Sequence, residues 1–149
     1  MRAMTPRDAL MEACFRARAY RYLPDEITTP DGVVVPIDVW DTRSEFEARR
    51  GGDCDGFTCW AMEHAALAAP DAALWFVAGE VLIRGQWIGH AWIELQSEDA
   101  TLWADPTWGH GPQAPTSLGY PTTRRAVKRW RRVGYGPLFG QEEAYVVSA

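Results

Sequence analysis

A helical pattern followed at once by three strand patterns, over residues 53–105, limits the fold of this chain more than any other feature. The helix is expected to begin at Asp53 or Cys54, directly after two glycines, and to continue to about Ala69, where Pro70 ends it. Short turns between the strands predict antiparallel pairing. The predicted strands cover residues 73–83, 87–95 and 100–105. This order predicts an α+β fold in which the helix packs on an antiparallel sheet.

The flanking segments predict less regular structure. Residues 5–20 have the pattern of an amphipathic helix, and residues 43–50 that of a short helix that begins with a capping box. Residues 33–40 are expected to be extended, with a proline that restricts them to an edge strand or a loop. Residues 106–121 are rich in Pro and Gly and predict an irregular segment, and the chain from Thr122 onward receives no assignment.

The length of 149 residues favours a single domain over residues 1–149, with a catalytic core at about 39–109 and an unassigned segment at 110–149. A net charge of -5 gives no reason to expect nucleic-acid binding. No signal peptide and no apolar run of about 20 residues is present, so we expect no membrane association and a cytoplasmic location, or a place in a phage particle. Three cysteines, an odd number, favour a reducing compartment.

A basic run at residues 124–132 is the main charged feature of the chain. We interpret it as a solvated face or an extended arm. The alternative interpretation is a contact surface for an assembly partner.

Cys54 is the candidate nucleophile. A thiol reacts as its thiolate, and the first turn of a helix stabilises an anion through unpaired N–H groups and the positive end of the dipole. Asp53 is a suitable N-cap residue for this helix. We therefore expect a depressed pKa for Cys54. Cys59 lies about 140° further around the helix and is expected in the core, as is Cys14.

His90 is the candidate base, because a polar side chain in an apolar strand needs a partner when it faces inward. If Leu95 pairs with Ala100 in the hairpin, His90 lies opposite Asp105. Opposed residues have Cβ atoms about 5 Å apart, within reach of a carboxylate–imidazole hydrogen bond that would orient the histidine. The simpler interpretation of Asp105 is a turn residue before Pro106.

Two other histidines compete with His90. His64 lies about 15 Å from Cys54 along the same helix and is excluded as the base. His110 lies in the Gly- and Pro-rich segment and could reach a cleft. Only His90 has a strand neighbour placed to orient it, so His90 is preferred.

A cleft around Cys54 also needs hydrogen-bond donors for an oxyanion. The backbone N–H of Cys54 and the indole N–H of Trp40 are the candidates. Glu94 shares a strand face with His90, and its alternative interpretation is ordinary strand surface. The candidate cleft residues are Asp53, Asp55, Trp92 and Glu94.

Three short motifs, in this order along the chain, resemble those of the transglutaminase-like superfamily. Residues 39–57, from Val39-Trp40 through Gly51-Gly52-Asp53-Cys54-Asp55 to Phe57, are similar to the nucleophile region of bacterial transglutaminase-like cysteine peptidases. Gly89-His90-Ala91-Trp92 and Ala104-Asp105-Pro106-Thr107 resemble the histidine and aspartate motifs. The resemblance covers roughly residues 39–109 and implies a papain-like fold with Cys54, His90 and Asp105 as a catalytic triad.

The resemblance also implies chemistry on amide bonds through a thioester. Members hydrolyse peptide bonds, deamidate glutamine or join it to an amine. The expected function is therefore a thiol-dependent hydrolase or acyltransferase that acts on protein or peptide substrates. The alternatives are a phage or bacterial cell-wall peptide endopeptidase and a catalytically idle assembly module. No cofactor is expected, although some members bind calcium through acids next to the cysteine, where Asp53 and Asp55 lie here.

Overall fold

The structure is a computed structural model that describes residues 4–23, 26–28, 30, 34–36, 43–97, 100–132 and 139–144. The helices in these ranges are α1 (Pro6–Ala17), α2 (Arg43–Arg49) and α3 (Cys54–Ala68). The strands are β1 (Arg21–Tyr22), β2 (Glu26–Thr28), β3 (Val34–Pro36), β4 (Gly51–Gly52), β5 (Ala73–Ile83), β6 (Gln86–Ser97), β7 (Ala100–Asp105), β8 (His110–Gln113), β9 (Arg124–Arg132) and β10 (Phe139–Ala144). No helix among the described residues has the length and apolarity to cross a membrane.

Side-chain caps determine where the two longer helices begin. The Thr5 hydroxyl accepts a hydrogen bond of 3.1 Å from the backbone N–H of Asp8 at the start of α1. The Asp53 carboxylate accepts one of 2.9 Å from the N–H of Gly56, and α3 begins at Cys54. Each cap satisfies an N–H group that has no partner inside the helix. The predicted start of the central helix is therefore confirmed.

Six strands form one antiparallel sheet in the order β10-β9-β5-β6-β7-β8. The predicted strands β5 and β7 have the expected bounds, and β6 is longer at both ends. The interpretation of 106–121 as irregular is wrong for residues 110–113, because these pair with β7 as strand β8. The extended-arm interpretation of the basic run is also wrong, since β9 lies inside the sheet between β5 and β10.

The predicted register of the β6–β7 hairpin is wrong by two residues. Leu95 pairs with Leu102 instead of Ala100, because the strands stay paired as far as Ser97 and Ala100 and the turn is shorter than predicted. A shift by an even number of residues leaves every side chain on its own face. Asp105 is consequently a diagonal rather than a direct neighbour of His90, still within reach of a hydrogen bond.

Helices α1 and α3 pack against one face of the sheet and form the main core. This core includes Cys14 and Cys59, as predicted, together with Leu10, Met62, Phe76 and Ile93. Val77, Trp92 and Trp103 make a second, smaller cluster. The residues that alternate with the main core along β6 therefore belong to a different environment, and His90 is one of them.

A short parallel strand pair guides the chain into α3. β1 pairs with β4 through Arg21 and Gly51, and the N–H of Leu23 donates to the carbonyl of Gly52 at 2.8 Å. Gly51 has a φ of 156°, and a Cβ at this position would lie 1.9 Å from the carbonyl oxygen of Arg21. Only glycine allows this approach. The pair holds the backbone immediately before Cys54 in place.

Candidate functional site

A cavity of about 440 Å³ lies where α3 begins beside β6. Both Cys54 and His90 line it. The structure thus brings together two of the side chains that the sequence nominated for chemistry. The other lining residues are Tyr22, Val81, Ile83, Ile88, Gly89, Thr107 and Trp108.

His90 is bound to Asp105 in the wall of this cavity. The His90 Nε2 atom lies 2.7 Å from Asp105 Oδ2, and both side chains are buried. Burial acts to raise the pKa of Asp105, but the hydrogen bond and charge of His90, together with those of Arg124, hold that pKa below its ordinary value. Asp105 is therefore a carboxylate, which can only accept. The proton of the neutral imidazole then lies on Nε2, and Nδ1 carries the lone pair.

Cys54 lies beside the part of β6 where its pairing with β7 has ended. The last pair of this ladder is Ile93 with Ala104, so β6 continues past the end of its neighbour. Beyond that pair, the backbone N–H of Ala91 forms a hydrogen bond with the Cys54 sulfur. The Cys54 sulfur also lies 3.9 Å from the carboxylate oxygen Oδ1 of Asp55.

The pKa of Cys54 is raised to about 12, mainly by burial and then by the charges of Asp55 and Asp53. The hydrogen bond from Ala91 acts in the opposite direction and is outweighed. The expectation of a depressed pKa is therefore wrong. A helix N-terminus favours a thiolate, but this one is desolvated and has two carboxylates beside the sulfur. Cys54 is a neutral thiol at neutral pH.

The competing histidines lie elsewhere. His64 stacks on Trp60 with ring centroids 5.0 Å apart, on the surface of a different pocket. His110 lies nearly parallel to the ring of Tyr120, at 4.5 Å between centroids. Neither histidine lines the cavity that contains Cys54.

The other residues that the sequence nominated for the cleft lie in different parts of the structure. Asp53 and Asp55 flank Cys54, as described above. Trp92 and Glu94 are fully buried and do not line the cavity, so their assignment to the cleft is wrong. Glu94 accepts a hydrogen bond of 3.1 Å from the indole N–H of Trp103 and forms an ion pair with Arg129. Trp40 lies outside the described residues.

Arg124 is a site residue that the sequence interpretation missed. It belongs to the basic run, yet its side chain is only 2% exposed and forms an ion pair with Asp105. Strand alternation within the run would have been the signal, because it turns every second side chain inward. Trp108, whose ring lies 4.7 Å from that of His90, also lines the cavity.

The helices packed on an antiparallel sheet match the fold of LapG, which is transglutaminase-like. Calcium-bound LapG of Legionella pneumophila is 19% identical, with a TM-score of 0.62 over 82% of this chain and 63% of that chain. A second LapG structure of this organism is 18% identical, with a TM-score of 0.59 over 82% and 62%. EGTA-treated LapG is 17% identical, with a TM-score of 0.60 over 89% and 70%.

This likeness establishes the fold. The chain spans less than two thirds of the first two LapG chains. No family model and no curated protein matches the sequence.

The calcium in one LapG structure raises the question whether Asp53 and Asp55 fit the same ion. Calcium takes six to eight oxygen ligands, several of them carboxylates. Here Asp53 Oδ1 already caps α3, and the described residues include no group of three or more His, Cys, Asp and Glu side chains arranged so that they could hold a metal ion. Asp53 and Asp55 alone therefore supply too few oxygen ligands for a calcium ion.

Replacing Asp55 tests the cause of the raised Cys54 pKa. Asp55→Asn removes the carboxylate that, after burial, raises this pKa most. We expect alkylation of Cys54 by iodoacetamide at pH 8 to be about threefold to tenfold faster, because the thiolate fraction increases. Peptide-mapped mass spectrometry gives the rate. Asp71→Asn, at an exposed position beyond α3, is the control and should leave the rate unchanged. Equal rates for the wild type and Asp55→Asn would refute the electrostatic explanation.

Proposed function

We propose that this chain is a cysteine peptidase in which Cys54 is the nucleophile, His90 the general acid and base, and Asp105 the residue that orients His90. One observation carries the proposal: a cysteine at the start of a helix and an aspartate-bound histidine line the same cavity. The likeness to LapG, a cysteine protease, supports peptide-bond hydrolysis as the reaction.

The acylation step begins with the neutral thiol. As Cys54 Sγ attacks the carbonyl carbon of the substrate, its proton passes to His90 Nδ1. The Asp105 carboxylate stabilises the imidazolium that forms. His90 then gives the proton to the leaving amine, the C–N bond breaks, and the acyl group remains on Cys54 as a thioester.

The deacylation step repeats the same proton transfers with water. His90 Nδ1 takes a proton from the water molecule as its oxygen attacks the thioester carbon. The C–S bond then breaks, the proton returns to the sulfur, and the carboxylic acid leaves. The raised pKa of Cys54 fits this scheme, because the thiol loses its proton during the attack rather than before it.

The oxyanion of each tetrahedral intermediate needs N–H donors. The backbone N–H of Cys54 lies in the first turn of α3, where no earlier helical carbonyl is available to it. We assign this group as one donor. Trp40 stays a prediction for the second donor, since it lies outside the described residues.

The cavity also supports a substrate class. Much of its lining is apolar and includes Val81, Ile83, Ile88 and Trp108. A Cβ on Gly89 would have no atom within 4 Å, which leaves open space along this part of β6. We therefore propose an extended peptide substrate that places an uncharged, apolar side chain next to the scissile bond.

Peptide cleavage by matched variants tests the proposed roles. We expect the purified chain to cut members of a diverse peptide library, and Cys54→Ala and His90→Gln to lower the rate at least about a thousandfold. Mass spectrometry of the new peptide termini gives the rate. Cys59→Ala and His64→Gln, on the same helix as Cys54 but outside the cavity, should retain most activity.

Cleavage that persists in Cys54→Ala would overturn the proposal. The same assay in the presence of an added primary amine separates hydrolysis from transfer. Products that carry the amine in place of a free carboxylate would instead assign the chain as an acyltransferase.

The apolar wall has its own test. Ile88→Glu places a charge in the cavity, and we expect it to raise KM for peptides with an apolar residue beside the cut by about tenfold, with a smaller change in kcat. Leu82→Glu is the control, since Leu82 on the neighbouring strand is also exposed, at 37% against 46% for Ile88, but does not line the cavity. Equal effects of the two substitutions on KM would contradict the proposed substrate class.

A further inference from the structure

We propose that Arg124 is a positioning residue of this site: it holds the Asp105 carboxylate in place and offsets its charge, and so keeps His90 available as a base. The inference rests on the proposed function, because it concerns how His90 acts. It adds a fourth residue, from a distant strand, to the group formed by Cys54, His90 and Asp105.

Two nitrogen atoms of the Arg124 guanidinium contact the same carboxylate oxygen of Asp105. Arg124 Nε and Nη2 lie 2.8 Å and 2.6 Å from Asp105 Oδ2, the same oxygen that accepts from His90 at 2.7 Å. The backbone N–H of Thr107 donates to the other oxygen, Oδ1, at 3.2 Å. Donors from three directions thus fix the carboxylate in one orientation towards His90.

Arg124 is itself held firmly. Its Nη1 donates to the carbonyl of Tyr120 at 2.8 Å and to the hydroxyl of Thr123 at 3.1 Å. Its guanidinium also lies over the rings of Trp108 and Tyr120, at 5.3 Å and 4.9 Å from their centroids. Trp108 packs against His90 as well, so one indole contacts both the arginine and the histidine.

The charge of Arg124 has a defined effect on His90. A buried carboxylate with no other cation would stabilise the imidazolium strongly and keep the base protonated. The guanidinium offsets much of the negative charge that Asp105 presents to His90. Replacing it with a neutral side chain would therefore strengthen the attraction between this carboxylate and an imidazolium.

The other titratable groups that act on Asp105 do not replace this charge. Burial, with a smaller contribution from Asp105, raises the pKa of Cys14 and of Tyr120, so both are neutral at pH 7. Burial and the charge of Arg124 lower the pKa of His110, so it is neutral as well. Cys54 is a neutral thiol, and the carboxylates of Asp53 and Asp55 lie beside its sulfur.

The test compares Arg124→Gln, Arg124→Lys and Arg125→Gln in the full chain. For Arg124→Gln we expect the acid limb of the kcat/KM profile to move to higher pH by about one unit. The reason is that no guanidinium then offsets the Asp105 charge, which attracts an imidazolium. The kcat at pH 6 should fall about tenfold with KM within about twofold, since Arg124 does not line the cavity. Arg124→Lys keeps the charge and should shift the limb less.

Arg125→Gln is the matched control. Arg125 is the next residue on β9, exposed and paired with Glu80, and its loss should leave the profile unchanged. In an Asp105→Asn background, Arg124→Gln should cause no further shift, because the charge that Arg124 offsets is absent. An unchanged profile in Arg124→Gln, or an equal shift in the Asp105→Asn background, would overturn the proposal.

Two readouts do not depend on peptidase activity. The first is the low-field proton NMR signal of His90 Nε2–H, which we expect to move in Arg124→Gln and to stay in place in Arg125→Gln. The second is the pH dependence of Cys54 alkylation, whose acid limb should move with the same variant. If no peptide is cleaved but both readouts respond, the proposed function fails and the role of Arg124 stands. If peptides are cleaved and neither readout responds, the role of Arg124 fails. Arg124→Lys provides the same readouts if Arg124→Gln does not fold.

Discussion

The buried carboxylate of Asp105 is the interaction on which the arrangement of this site depends. It accepts hydrogen bonds from β6 through His90, from the start of β9 through Arg124, and from its own turn through Thr107. A buried ion with a missing partner is costly, so the three contacts must form together. The carboxylate thereby ties the basic strand at one side of the sheet to the histidine strand at its centre.

Burial and two neighbouring carboxylates explain why the Cys54 thiol is protonated at rest. Cys54 begins a capped helix, which favours its anion, but burial and the carboxylates of Asp55 and Asp53 weigh more and raise its pKa. The proposed attack by such a thiol needs a histidine that can accept its proton. The contact between Arg124 and Asp105 offsets the carboxylate charge beside that histidine, so the two features are complementary.

Local signals in the sequence were sufficient for the helix and the three strands between residues 53 and 105, and for the position of the cysteine. The Asp53 cap and the strand alternation over 73–105 act within a few residues, and the structure agrees with both. The predicted hairpin register was wrong by two residues. Because two is an even number, Asp105 still lies on the same face of the sheet as His90. The partners of buried charged residues could not be predicted from local patterns, because they lie far away in the chain. Arg124 binds Asp105, 19 positions away, and Glu94 binds Arg129 from another strand.

Covalent acylation of Cys54 tests the central claim most directly. A peptide p-nitrophenyl ester with an apolar terminal residue would be mixed with the protein, quenched in acid and analysed by intact mass and peptide mapping. The account predicts one acyl group on Cys54 during turnover, formed much more slowly in His90→Gln. Acyl groups spread over Cys14, Cys54 and Cys59, or an equal rate in His90→Gln, would contradict it.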